Sequence, residues 1–302
     1  MDVLIFRPGA IGDTLMLLPP LNHLAGNAHI TVVGRKPGLN FIRNCVNRSM
    51  DFEGPGWHRL FLETPSRNAL PVAAADLVVA FLNDEAGCIR RNLNAYFPDA
   101  SVYLFRSRPP AGKDVHMVRY VSECLSAAGL PIDPKRTFEN ARKYPTIIQE
   151  QEWGPRNKVV IHPGSGSPRK NHPPAFWRSL IKAFVQKPEF RSLIPAVLLG
   201  PAEQPMRAYF MKNSGSPRVE LHLCSDKEAL TALLGCASLY MGHDSGITHY
   251  AAMLGIPTIA LFKKDTVGQW APLGPFVSVI QSNIHRLSLI ESTLEAAKDL
   301  TN

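Results

Sequence analysis

Short apolar runs, each closed by a glycine-, proline- or serine-rich turn, recur along the chain from end to end. The first is Val3-Leu4-Ile5-Phe6, apolar at every position, as a strand covered on both faces requires. Arg7-Pro8-Gly9-Ala10-Ile11-Gly12-Asp13 then turns the chain. A helical pattern follows from Thr14 through Leu15, Met16, Leu17 and Leu18, and Pro19-Pro20 is expected to bend or end it. Residues 29–33, 76–81 and 101–105 predict three further strands, and 118–128 a helix stopped by Gly129 and Pro131. The stretch 34–66 has no clean periodicity; it carries Arg35, Lys36, Arg43, Arg48 and Arg59 among glycines and prolines and reads as a long basic connection.

A polar stretch over 145–158, with Pro145, Gly154 and Pro155, reads as a linker. It divides the chain into a first domain over 1–150 and a second over 151–302. Val159-Val160-Ile161 begins a new strand that runs into His162-Pro163-Gly164-Ser165-Gly166-Ser167-Pro168-Arg169-Lys170. Pro173-Pro174 opens a helix with Phe176, Trp177, Leu180, Ile181 and Phe184 on one face. Strands at 196–199 and 219–223 and a helix at 226–234 follow, the first strand ending on Gly200-Pro201-Ala202-Glu203. An apolar run then ends at Met241, and the turn Gly242-His243-Asp244-Ser245-Gly246 leads into a helix over 247–254. Gly255 and Pro257 end that helix, and 258–262 forms the next strand. A strand at 276–280 and a helix at about 286–300, expected to pack back on the first domain, close the chain. Strands alternating with helices predict an α/β fold with parallel sheets. The loops at 162–170, 200–203 and 242–246 then share one rim, the carboxyl ends of their strands.

With 302 residues, 45% of them hydrophobic, the chain can bury two medium cores. Its net charge of +8 points to an anionic partner: a nucleotide, a phosphorylated saccharide, a membrane face or nucleic acid. Lys and Arg outnumber Asp and Glu 17 to 14 in residues 1–150 and 16 to 11 in 151–302, so the excess forms no tail and argues against a nucleic-acid arm. The five cysteines are scattered, with no C-x-x-C pair, and read as thiols in a reducing compartment. With no signal peptide or spanning run visible, the expected location is cytoplasmic.

The first turn is neither a dinucleotide fingerprint nor a P-loop, but it places one carboxylate, Asp13, at the carboxyl end of the first strand. From this turn alone Asp13 reads first as a helix cap, with a carboxylate facing a ligand as the other reading. In the second half, Ser165 and Lys170 lie on a loop whose small residues let a phosphate approach the backbone. Ser245 and Gly246 open a helix whose free amides suit an anion, with Asp244 beside them as a hydroxyl acceptor or Asp244 or Ser245 as a plain cap. Neither D-x-D nor H-E-x-x-H occurs, and no metal or cofactor is expected.

In their order and spacing these anchors resemble glycosyltransferase family 9, the heptosyltransferases of lipopolysaccharide core assembly. The resemblance rests on Arg7 through Asp13 to Pro19, on His162-Pro163 through Lys170 to Pro173, on Gly200 to Glu203, and on Asp244-Ser245-Gly246 with His249 and Ala251-Ala252. It implies a GT-B architecture, two Rossmann-like domains with mostly parallel sheets facing across a cleft. The first domain would take a saccharide or lipid-linked acceptor, the second an ADP-heptose-like nucleoside-diphosphate sugar. It further implies inversion at the anomeric carbon without a metal, and peripheral contact with the anionic inner membrane. Carried over by position, Asp13 is the base, Lys170 holds the diphosphate, Glu203 the ribose and Asp244 the transferred sugar. Ser165, Ser245, Gly246, Ile247 and His249 complete the donor site. The chain departs from the family pattern at His172, where tryptophan is common, and at Lys263-Lys264-Asp265, which replaces a Gly-Pro-Thr run. An epimerase or hydrolase of the same architecture, or a non-catalytic nucleotide-sugar-binding protein, are the alternative readings.

Overall fold

A computed structural model describes residues 1–24, 26, 28–110, 112–148, 153–213, 219–282 and 286–301. The chain forms two compact units, Met1–Asn140 and Ala141–Asn302. The domain boundary expected at 150/151 lies outside the described residues.

In the first unit the chain runs β1 (Asp2–Arg7), α1 (Ile11–Leu15), α2 (Leu18–Leu21), β2 (His29–Gly34), α3 (Gly38–Ile42), β3 (Arg48–Asp51), β4 (Leu77–Phe81), α4 (Cys88–Tyr96), β5 (Ser101–Phe105) and α5 (Met117–Ala127). The helix α6 (Pro134–Lys143) carries the chain into the second unit. The five strands form one parallel sheet in the order β3-β2-β1-β4-β5. Leu4 and Phe6 of β1 join Val33, Val78, Ala80, Trp57 and the Ile89–Leu93 face of α4 in a core on one side of this sheet. Pro19 and Pro20 begin a helix rather than end one. They fall in the first turn of α2, where a missing amide proton costs nothing.

The second unit runs β6 (Lys158–His162), α7 (Pro174–Gln186), β7 (Ile194–Leu199), α8 (Arg207–Asn213), β8 (Glu220–Leu223), α9 (Lys227–Gly235), β9 (Ala237–His243), α10 (Gly246–Met253), β10 (Thr258–Phe262), α11 (Val267–Trp270), β11 (Val277–Gln281) and α12 (Arg286–Thr301). Its six strands are all parallel, in the order β11-β10-β9-β6-β7-β8. Counted within the unit this is the doubly wound order 3-2-1-4-5-6, in which the chain reverses direction across the sheet between its first and fourth strands. The core gathers Val159 and Ile161 of β6, Leu239 and Met241 of β9, and the apolar face of α7. Leu289, Ile290, Leu294 and Ala297 of the closing helix α12 enter this same core. Gly255 ends α10 with φ +76°, the left-handed conformation that a helix stop of this kind requires. Among the described residues no helix is long and apolar enough to cross a membrane.

Candidate active site

In a doubly wound sheet the crevice opens at the carboxyl ends of the two strands between which the order reverses. In the second unit these are β6 and β9, and β7 lies directly beside β6. The three polar loops expected to share a rim therefore do so, in the spatial order 244–246, 163–170, 200–203. Across the crevice the Lys170 ammonium meets the Asp244 carboxylate at 2.6 Å. Asp244 is largely buried while Lys170 is about a third exposed, so the pair sits at the mouth of the crevice.

Ser245 caps α10 by accepting the Thr248 amide at 3.3 Å. The next amides, of Gly246 and Ile247, belong to the first turn, where no intrahelical carbonyl is in reach and the helix dipole is positive. Thr248 fixes the turn from beneath, its hydroxyl donating to the His243 carbonyl and lying 3.1 Å from the Tyr240 hydroxyl. His249, two per cent exposed, lies on the buried side of α10 with its ring 6.3 Å from that of Trp270. The opposing loop is tied internally: the Ser165 hydroxyl bonds Asn171 Oδ1 at 2.6 Å and accepts the Ser167 amide at 3.2 Å.

Glu203 forms the third side. Its Oε2 accepts the Gly200 amide at 3.0 Å and approaches His162 Nε2 at 3.6 Å. Burial opposes the charged carboxylate, but the attraction of His162 and the Gly200 amide outweighs it and holds Glu203 below the ordinary carboxylate range. The backbone of Gly164 passes so close that a Cβ there would fall 2.0 Å from Glu203 Oε1. Glycine is therefore needed at 164 for the loop and the carboxylate to share this space.

Asp13 stands at the corresponding reversal of the first sheet, between β1 and β4. It borders a cavity of about 360 Å³ lined also by Arg7, Gly9, Arg35, Asn83 and Arg108. One carboxylate oxygen accepts the Ala10 amide at 3.2 Å; the other faces Arg7 Nη2 at 3.5 Å. Arg7 is two per cent exposed, bonds the carbonyls of Ser107 and Asp13 at 2.9 and 3.2 Å, and lies over the Phe81 ring. Burial lowers the Arg7 pKa, and Asp13 is the largest influence restoring it. Asp13 thus already acts as an amide acceptor at the helix start and as counterion to a buried guanidinium, while remaining at the cavity wall. Of the basic connection, Arg35 and Lys36 pair with Glu53 and Asp51 at 3.3 and 3.8 Å.

The structure thus gathers Ser165, Lys170, Glu203, Asp244, Ser245, Gly246, Ile247 and His249 at one rim of the second unit and leaves Asp13 in the first. Sequence reading passed over the role of His162, Tyr240, Thr248 and His243 beneath that rim. The positions of His162 and His243, which close the otherwise apolar β6 and β9, could have marked these two as polar sites though not their partners; Tyr240 inside β9 and Thr248 inside α10 carry no such signal.

The family model described as "Glycosyltransferase family 9 (heptosyltransferase)" matches residues 99–295. Among solved structures, E. coli ADP-heptose LPS heptosyltransferase II is similar over 100% of this chain and 98% of its own, at 16% identity and a TM-score of 0.70. E. coli heptosyltransferase WaaC with ADP is similar over 98% of this chain and 100% of its own, at 16% identity and a TM-score of 0.66. A family 9 glycosyl transferase from Veillonella parvula DSM 2008 gives 16% identity and a TM-score of 0.65 over 100% and 98%. No curated protein matches the chain by sequence.

Proposed function

The chain belongs to glycosyltransferase family 9, and from that premise we propose that it moves a heptose-like sugar from a nucleoside diphosphate to a saccharide or lipopolysaccharide-core acceptor, with inversion and without a metal. The observation that carries this reading is the Lys170–Asp244 pair at the opening of α10, where a cation, a hydroxyl acceptor and outward-facing amides converge. Lys170 and the amides at Ser245, Gly246 and Ile247 take the diphosphate, and charge gathering on the departing nucleotide is stabilised there. Ser165 borders the phosphates, Glu203 accepts from the ribose, Asp244 accepts from the sugar, and His249 supports the helix from its buried side. In the first unit Asp13 accepts the proton of the attacking acceptor hydroxyl. Arg35 and Arg108, beside it in the cavity wall, suit an acceptor bearing negative charge. The first unit binds the acceptor and the second the donor.

The structural neighbours solved with ADP and with ADP-2-deoxy-2-fluoro heptose support adenine as the donor base. A lipid-linked acceptor would bring the protein to the anionic inner face of a membrane from the cytoplasm, with the 35–67 connection as the contact. Calorimetry with ADP, UDP, GDP and TDP tests the base, and ADP should bind most tightly. Product analysis by NMR should then show an acceptor-dependent glycoside of inverted configuration. Donor epimerised or hydrolysed without an acceptor product would overturn the transferase reading.

A further inference from the structure

His243 ends β9 with no exposed surface, yet it is a polar ring whose nitrogens both need partners when buried. Both face the opposite loop. The His172 amide donates to His243 Nε2 at 2.8 Å, which makes that nitrogen the acceptor and leaves the proton on Nδ1. Nδ1 in turn faces the Gly164 carbonyl at 3.4 Å. Gly164 and His172 are the two ends of the segment that carries Ser165 and Lys170. Trp177 stands edge-on to the His243 ring at 5.0 Å, and the His172 ring lies nearly parallel to it at 5.5 Å. His172 is itself held by the Ser282 hydroxyl at 2.8 Å, and Lys263 donates to the neighbouring Asn171 carbonyl at 3.1 Å. His172 and Lys263 are two of the positions at which this chain departs from the pattern it otherwise resembles.

We infer that His243 is a positioning residue: its two ring nitrogens clasp both ends of the 164–172 loop and so hold Ser165 and Lys170 where the donor diphosphate is received. The inference rests on the donor reading given above for its consequence, but not for the clasp itself. A buried ring serving only as core would need no particular placement of nitrogens. This one has both nitrogens on the backbone of a single loop, 71 residues away in the case of His172. Without the acceptor, the His172 amide is left unpaired, and the loop gains freedom that donor binding must then remove.

Two variants of the full chain test it. His243→Phe keeps a ring and removes both bonds, whereas His243→Gln keeps an acceptor at nearly the reach of Nε2. Hydrogen exchange of peptides covering 164–172 should quicken about tenfold to a hundredfold in the phenylalanine variant and recover most of the way in the glutamine variant. Peptides from β7 and β10 should keep the wild-type rate. ADP affinity should fall by about tenfold in the phenylalanine variant, raising the donor KM with kcat changed only a few-fold. Wild-type exchange in 164–172 would overturn the inference. So would faster exchange spread evenly over the second unit, or a glutamine variant no better than phenylalanine. If wild-type protein binds no ADP, the donor reading falls instead, and the exchange comparison still decides the clasp.

Discussion

Replacing Asp13 with asparagine separates proton acceptance from the two structural duties of this side chain. The amide oxygen can still accept the Ala10 amide, so the start of α1 is kept. What disappears is the charge 3.5 Å from Arg7. At an effective dielectric of about 20, two charges at that separation attract by about 4–5 kcal/mol. Arg7 retains the carbonyls of Ser107 and Asp13 and the face of Phe81, and the asparagine dipole replaces part of the attraction. A loss of about 2–3 kcal/mol remains, because breaking a buried pair strands the surviving charge. At roughly 2–4 °C per kcal/mol, the first unit should melt roughly 4–12 °C lower. Calorimetry should find ADP affinity unchanged. Assayed well below its melting temperature, the variant should turn over about 10²–10⁴-fold more slowly, the usual contribution of a general base. Stability loss in a protein that is still folded cannot produce such a fall. Turnover near the wild-type rate would refute the base assignment and leave Asp13 as cap and counterion alone.

Lys170→Ala should weaken ADP binding by about 1.5–3 kcal/mol and also lower the melting temperature, because the largely buried Asp244 carboxylate loses its counterion; unchanged affinity in calorimetry would make Lys170 a surface charge. Gly164→Ala should expel Glu203 from its place beside the Gly200 amide, costing about 1–3 kcal/mol of stability by thermal melting and weakening ADP binding with it. Acid should destabilise the second unit through His243, whose pKa is lowered to about 3 by burial and by the neighbouring His172, His162 and Lys263. The unfolded chain takes up this proton below about pH 6.5 and the folded chain does not, so stability should fall by about 1.4 kcal/mol per pH unit from there down towards pH 3. A pH-melting series on wild type and His243→Gln should show the variant with the shallower slope. Vesicles of anionic lipid should bind the protein at low salt and release it as ionic strength rises; equal partitioning to neutral vesicles would argue for an acceptor free in solution.

Strands buried on both faces were legible because their sequences are apolar without interruption, as in Leu77–Phe81 and Thr258–Phe262. The edge strand Arg48–Asp51 was not, since it pairs on one side only and its Arg-Ser-Met-Asp sequence lacks an apolar pattern. The helix Cys88–Tyr96 was missed for a related reason: it buries only Ile89, Asn92 and Leu93 among polar neighbours. The rim of the second unit could be read because its groups follow strand ends, and topology alone brings those ends together. The clasp of His243 on His172 and the ion pair of Asp13 with buried Arg7 could not. Both depend on which way side chains turn inside a packed interior, and local sequence carries no mark of that.

In each sheet the strands that flank the reversal are also the partners most distant along the chain. Val3 aligns with Leu77, and Val159 with Leu239, whereas the other neighbouring strands are joined by much shorter crossovers. At roughly 5–20 residues per second, synthesis keeps β6 waiting roughly 4–16 s for β9 to emerge. Until then one side of an apolar strand has no partner, a state prone to wrong pairing. The seam at the reversal is therefore the pairing that waits longest for its partner in the nascent chain, and the interval over which a chaperone has most to protect.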